Sequence, residues 1–362
     1  MQIGTATATP GELTKGYLDV TELPTGGAER VPVLIAQGED GPEAGPTLWV
    51  TGSLHGDEIT GLAVAQDVMT EDLPEQLTGT VVSVPNLSPA GLRRNERTTY
   101  CADDDPNRYF PTRESEAERV RPPGVQELIN RRLYEAMVET ADAVISLHTA
   151  QVRSRAFTIR GRVPYGDERS EAEAEAIAEE LNRLVEAFGV PVVNQYDQET
   201  YEELALNRSL AGAVRDNAGI PAFTPELGGH SVVEKKHREA GVVGTRNVMR
   251  AMNLLPGDPE PNASAPEDLV EYPVRRVRGP HTDVAGVVRY RVDAGDLIEP
   301  GTPVADVVTP HGDVKTTVEA EAEGYVVARQ EGGVAYENDP LLSLAVRDGG
   351  DLVVPHESVE AE

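Results

Sequence analysis

Residues 47–69 read TLWVTGSLHGDEITGLAVAQDVM. A short run of β-branched and aromatic residues stops at Gly52, a turn of small residues follows, and from Glu58 the apolar positions recur at helical spacing. A strand that turns directly into a helix is the repeating unit of an α/β domain with a central mixed, mostly parallel sheet flanked by helices. The same alternation extends outwards from this stretch. VPVLIA (31–36), TVVSVPN (80–86), AVISLH (143–148), AFTIR (156–160) and IPAFTPEL (220–227) are strand-like, with turn signals at most of their boundaries. Helical patterns cover 58–69, about 124–140, roughly 168–188, and segments near 207–218 and 234–253. In the third of these, Ile177, Leu181, Leu184, Val185 and Phe188 fall on one face.

The alternation ends at residues 256–270, which open with PGDPEPNASAPED and have the proline, small and acidic composition of a linker. Beyond it, residues 271–350 hold only strand-like pieces, separated by turn signals at Ala294-Gly295-Asp296, Pro300-Gly301, Gly312-Asp313, Gly324 and Gly332-Gly333. The expected organisation is an α/β domain over 1–255, the linker, a small all-β domain over 271–350 and a frayed tail over 351–362. A chain of 362 residues is long enough to bury two unequal cores.

Composition narrows the field. There are 62 acidic residues against 32 basic ones, a formal net charge of −30, and only four lysines (Lys15, Lys235, Lys236 and Lys315). That much like charge repels itself at ordinary ionic strength, whereas in molar salt the Debye length shrinks to about 3 Å. The composition therefore fits a salty cytoplasm such as that of a halophilic microbe. No basic stripe is present to attract phosphates, so nucleic acid and anionic membranes are not expected partners. No stretch approaches the roughly 18 to 20 apolar residues of a membrane span, and the N-terminus shows neither a basic nor an apolar segment of a secretory signal. The cytoplasm is the expected compartment. A single cysteine, Cys101, excludes an internal disulfide framework and a multi-cysteine metal site.

The chemistry begins in GSLHGDEITG (52–61), where His55 and Glu58 stand three apart at the mouth of the helix. From a turn or a first helical turn, such a pair can converge on one ion, and zinc takes imidazole nitrogen and carboxylate oxygen together. Gly52, Ser53 and Gly56 allow close backbone approach. His148 ends the apolar run AVISLH and reaches the same sheet edge, where ligands of open α/β sheets bind. Three protein ligands leave a fourth position open, the mark of a catalytic zinc. Taken singly the signals are weak, because HxxE joins two ordinary surface residues and a lone strand-end histidine is more often a satisfied buried side chain.

Residues 86–111, NLSPAGLRRNERTTYCADDDPNRYFP, carry Arg93, Arg94, Arg97 and Arg108 with little periodic pattern. Surface pairing with Asp103, Asp104 and Asp105 is the plain explanation. Against it, irregular loops this long inside a compact domain are usually functional, and arginine offers a planar fork for a substrate carboxylate. Glu226, in TPELGGH (224–230), ends another strand-like run. It is either a turn glutamate at the surface or a general base that takes a proton from water and returns it to a leaving amine.

HGDE (55–58), the pattern from Arg97 through Asn107-Arg108 to Phe110-Pro111, LHT (147–149) and ELGG (226–229) together resemble the succinylglutamate desuccinylase/aspartoacylase family of metallocarboxypeptidase-like zinc hydrolases. They are most similar to a bacterial and archaeal branch that includes N-acetyl-diaminobutyrate deacetylase-like proteins and carries a C-terminal β domain. The resemblance spans about 30–347. It implies one zinc ion per chain held by His55, Glu58 and His148, with Glu226 as general base and acid. It further implies that Arg97 polarises the scissile carbonyl, and that Asn107 and Arg108 hold the free carboxylate of a small N-acylated substrate. Two positions depart from the family pattern. Pro106 replaces a usual leucine, which removes an amide donor and bears on the shape of the carboxylate pocket. Ser146 stands where an aspartate is frequent, so another group must orient His148 if that acid does so elsewhere.

The stretch 294–326 is similar to barrel-sandwich domains of lipoyl and biotinyl carriers, but its expected hairpin tip is Thr309–Asp313 and Lys315 falls on the returning strand. A carrier role is therefore not expected. The β domain is expected to cap the active site or to make homo-oligomer contacts, with His281 and His311 at the surface. The rival readings are a carboxypeptidase acting on peptides, which an open groove would favour, and a non-catalytic zinc-binding or assembly protein.

Overall fold

The computed structural model describes residues 1–99, 103–112, 121–166 and 169–356. Cys101 and the last six residues of the expected tail lie outside that set. The main sheet has 13 strands. In chain order they are β1 (Leu13–Glu22), β2 (Ala28–Gln37), β3 (Thr47–Thr51), β4 (Thr80–Val84), β5 (Ala143–Ser146), β6 (His148–Ala150) and β7 (Phe157–Arg160). They continue with β8 (Val192–Asn194), β9 (Ala222–Gly229), β10 (Val274–Arg278), β11 (Leu297–Ile298), β12 (Gly324–Arg329) and β13 (Leu342–Arg347).

Every residue of β3, β4 and β5 is buried, as continuous apolar runs must be when both faces of a parallel sheet are covered. β3 pairs in parallel with β4 and β5, and β5 in parallel with β9. Side chains alternate between the two faces. Leu48 and Val50 of β3 point into one core together with Val64 of α1 (Ile59–Asp67), Leu181, Leu184 and Phe188 of α3 (Glu171–Phe188), and Val248 of α5 (Lys235–Ala251). Trp49 points into the other, with Ile129, Leu133 and Met137 of α2 (Val125–Thr140) and Leu210 and Val214 of α4 (Leu210–Ala218). The result is a sheet between two helical layers, as the alternation of segments implies.

Helix α3 shows how local sequence sets the limits of an element. Ser170 accepts the amide of Glu173 while the Glu173 carboxylate accepts that of Ser170, and Gly189 ends the helix in the left-handed region at φ 71°. Between these ends, Leu181, Leu184, Val185 and Phe188 are buried.

β1 lay outside the sequence expectation, because LTKGYLDVTE mixes polar and apolar residues on a strand with a single buried residue, whereas its hairpin partner β2 contains the expected VPVLIA run. β8 is only three residues long and shows no periodicity of its own. Part of the segment expected to be tail forms a strand, Val353–Pro355, in parallel register with Val163–Tyr165.

The strand-rich C-terminal region is joined to the main sheet. β10 pairs with β8 at Asn194↔Arg275 and runs antiparallel to β13 along its whole length. A separate four-stranded sheet, formed by 286–290, 303–308, 314–319 and 334–335, packs over its own core of Val288, Ile298, Val304, Val307, Leu341 and Leu344. The Thr309–Asp313 turn closes one of its hairpins, Lys315 lies on the returning strand, and His281 and His311 are exposed. Among the described residues no helix is long and apolar enough to cross a membrane.

Phe188 is fully buried and meets Phe223 edge-on at 5.9 Å, tying α3 to β9. Phe188→Ala should destabilise the protein by about 3–5 kcal/mol, measured by denaturant unfolding in molar salt. A loss below ~1 kcal/mol would mean that the site collapses around the missing ring.

Candidate metal centre

The turn after β3 is shaped by the absence of side chains. A Cβ on Gly56 would lie 2.0 Å from the carbonyl carbon of Gly91, and one on Gly52 would lie 2.7 Å from the Gly61 carbonyl oxygen. The first contact lets the start of the arginine-rich loop rest on the HGDE turn. Glu58 occupies the position before the first turn of α1, so it reaches the sheet edge from a cap and not from within the helix. His148 opens β6 after the chain leaves β5, and β6 runs parallel to β9 with His148 opposite Glu226. The start of β6 thus carries His148, and the interior of β9 carries Glu226, which the sequence placed at a strand end, to the place where the turn delivers His55 and Glu58.

Three ligand atoms of His55, Glu58 and His148 lie within 4.8 Å of one another, and all three residues are buried. His55 Nδ1 is 2.6 Å from Glu58 Oε1 and His148 Nδ1 is 2.7 Å from Glu58 Oε2. The rings stand edge to face with centroids 5.0 Å apart. Each imidazole is held from behind through its other nitrogen: His55 Nε2 lies 2.9 Å from Asp105 Oδ1, and His148 Nε2 lies 3.1 Å from Ser146 Oγ. Outer hydrogen bonds of this kind fix ring orientation in metal sites. Ser146 thus contacts the ring that the family's frequent aspartate was expected to orient. The main-chain amide of Thr149 adds a bond to Glu58 Oε2 at 3.1 Å.

The arginines of the loop divide. Arg93 pairs with the buried Glu29 and Arg94 with the exposed Glu96, not with the aspartates that the surface reading named. Arg97 donates to Glu58 Oε1 at 3.3 Å and to Asp105 Oδ2 at 2.8 Å, at the edge of the cluster. Asp105 caps a single turn over Pro106–Arg108 by accepting the amide of Asn107. Pro106 occupies the first position of that turn, where a missing N–H costs nothing, and its carbonyl accepts a bond from Asn130. Asn107 Oδ1 accepts the amide of Leu210 at the start of α4, and Arg108 donates to the Leu204 and Asn107 carbonyls. Asp105, grouped with surface acids in the sequence, is the functional group that reasoning missed; its place directly before Pro-Asn-Arg is the cap signal that marks it.

Burial alone would raise Glu58, but the His55 and His148 imidazoles outweigh it and hold its pKa well below the usual carboxylate range. Asp105 is likewise depressed against its burial by His55, Arg97 and Arg108. Burial opposes the charge of His55, yet Glu58 and Asp105 raise its pKa. Glu226 goes the other way: burial, reinforced by Glu58, raises its pKa, and its Oε2 is buried without a hydrogen-bond partner among the described residues. Two carboxylates in one site are thus driven apart in acidity, the pattern that separates a ligand from a general base.

With that geometry described, comparison with known proteins places the chain. The model of the succinylglutamate desuccinylase/aspartoacylase catalytic domain matches residues 44–252. The chain belongs to this family. The N-alpha-acetyl-L-2,4-diaminobutyric acid deacetylase of Halomonas elongata is 26% identical over 328 residues, covering 88% of this chain and 86% of that protein. Among solved structures, a succinylglutamate desuccinylase/aspartoacylase from Rhodobacter sphaeroides superposes with a TM-score of 0.72 at 21% identity, covering 93% of this chain and 96% of that one. The product-bound ectoine utilization protein EutE (DoeB) of Ruegeria pomeroyi gives a TM-score of 0.73 at 20% identity, covering 96% and 99%. These structures share the family fold along nearly their whole length, including the C-terminal strands.

The charge pattern has a pH signature. Glu58 and Asp105 have depressed folded-state pKa values, so their contribution to stability is complete above the ordinary values of 4.5 and 3.8 and is lost as pH falls. His55 is raised above 6.5, so its contribution is complete below that pH and is lost on going higher. Metal-free protein should therefore be most stable between about pH 4.5 and 6.5, and Asp105→Asn should flatten both flanks in urea unfolding at constant salt. An Asp105→Asn profile superimposable on the native one would remove Asp105 from the cluster.

Proposed function

We propose that the protein is a zinc-dependent deacylase that hydrolyses the amide bond of a small N-acyl amino acid. The observation that carries this reading is the convergence of His55, Glu58 and His148 beside a buried carboxylate oxygen of Glu226 that no group among the described residues satisfies. The donor set fits the ion. Two imidazole nitrogens and one carboxylate oxygen suit zinc, and the outer nitrogens are already engaged by Asp105 and Ser146. A bound zinc ion supplies Lewis-acid chemistry, lowering the pKa of water and polarising a carbonyl.

The chain's own groups do the rest. Glu226, kept basic by burial, takes the proton of the attacking water and hands it to the leaving amine. Arg97 stands beside the ligands with its guanidinium charge favoured by Glu58 and Asp105, and stabilises the developing oxyanion. Asn107 and Arg108, fixed by main-chain bonds to the start of α4 and to Leu204, hold the carboxylate of the substrate. The relative from Halomonas elongata, aligned along most of both chains, supports an acetylated amino acid as the substrate type. N-acetyl-L-2,4-diaminobutyrate is accordingly the first compound to assay.

In molar salt, metal-stripped protein should be inactive and zinc should restore it; turnover that ignored metal removal would overturn the proposal. Glu226→Gln should lower kcat by orders of magnitude with zinc content unchanged, and Arg97→Ala by about 10²–10³-fold. Near-normal turnover of the Glu226 variant would exclude it as the base.

A further inference from the structure

Arg276 lies on β10, the strand that links the main sheet to the C-terminal region. Its guanidinium stacks over the ring of the buried Tyr196, with Cζ 4.6 Å from the centroid. Nη1 reaches Gln195 Oε1 only at 3.4 Å, and Nε is buried without any hydrogen-bond partner. The neighbouring Arg275 has an ion pair with Asp197 at 2.9 Å, whereas among the described residues no carboxylate lies within ion-pair distance of Arg276.

Arg276 and Arg108 meet at one small cluster: Tyr196, under the Arg276 guanidinium, packs with Leu204 and Leu206, and Arg108 Nε donates to the Leu204 carbonyl at 2.7 Å. Burial is the main influence on both Glu226 and Arg108, raising the first pKa and lowering the second; Arg276 opposes the shift at Glu226 and adds to that at Arg108. Arg108 is itself only loosely neutralised, with Asp105 at 3.8 Å. Two guanidiniums within electrostatic reach, neither closely paired, repel each other until an anion lies between them.

We propose that Arg276 is a specificity-determining residue which, together with Arg108, grips the carboxylate of the substrate and so selects acidic N-acyl compounds over their neutral analogues. This rests on the deacylase reading for the identity of the substrate, but not for the existence of an anion subsite. The planar fork of arginine matches a carboxylate, and stacking on Tyr196 fixes the plane of that fork in advance. The subsite is then built across the chain, with Arg108 from the loop before α2 and Arg276 from the strand that enters the C-terminal region.

The test compares native protein, Arg276→Gln and Arg276→Lys, all zinc-loaded and at one salt concentration. Calorimetric titration with succinate and with succinamide reads the subsite without presuming turnover. Native protein should prefer succinate by about tenfold or more, Arg276→Gln should lose most of that preference, and Arg276→Lys should keep part of it. In the kinetic arm, with N-acetyl-L-2,4-diaminobutyrate and its α-carboxamide, Arg276→Gln should raise KM for the acid about 10–100-fold and leave the amide unchanged. A purely structural role would impair both compounds equally and overturns the proposal, as does native protein that binds succinate no better than succinamide. If no amide is hydrolysed but the succinate preference depends on Arg276, the subsite stands and the deacylase reading falls. If hydrolysis is robust and the Arg276 variants keep the preference, the reverse holds. Should Arg276→Gln not fold, Arg276→Lys alone decides: full native preference and KM would overturn the proposal, and partial loss of both supports it.

Discussion

Glu58 sits between two imidazoles that are each clamped from behind, one by Asp105 and the other by Ser146. The rest of the molecule can be understood as the scaffold this arrangement needs. Four stretches far apart in sequence must meet within a few ångströms, and a parallel sheet achieves this because its strands end on one edge. β3 delivers His55 and Glu58, β5 and β6 deliver His148, and β9 brings Glu226 opposite His148. The irregular loop before α2 adds Asp105 and Arg97, and it can come this close only because Gly56 and Gly91 have no side chains.

Much of this was legible in the residues. The strand–turn–helix reading of 47–69, the helical face of Ile177 to Phe188 and the strand ending near His148 all follow from periodicity, and the structure has each of them. The meeting of His55, Glu58 and His148 was legible because these residues stand at strand and helix boundaries, where side chains face a sheet edge. What stayed hidden had a local signal that its surroundings masked, or none. Asp105 stands in a run of acids within a strongly acidic chain, so its composition matches that of a solvated surface loop. Ser146 carries no charge, and its contact with His148 depends on a break between β5 and β6 that hydropathy does not register. β1 is largely half-buried, and β8 is too short for any pattern to emerge.

In a chain whose formal net charge is −30, Arg97 and Arg108 stand against the carboxylates of Glu58 and Asp105, while Arg276 stacks on Tyr196. In molar salt, exposed charges are screened within about 3 Å, so the surface repulsion fades while the buried pairs keep their strength.

β10 belongs to two neighbourhoods at once, pairing with β8 on one side and with β13 on the other. The region after residue 270 is therefore not a detachable appendage. Cutting the chain there would strip β8 of its neighbour, bare an unpaired backbone edge and invite edge-to-edge association with other copies. The separate four-stranded sheet takes no part in that seam.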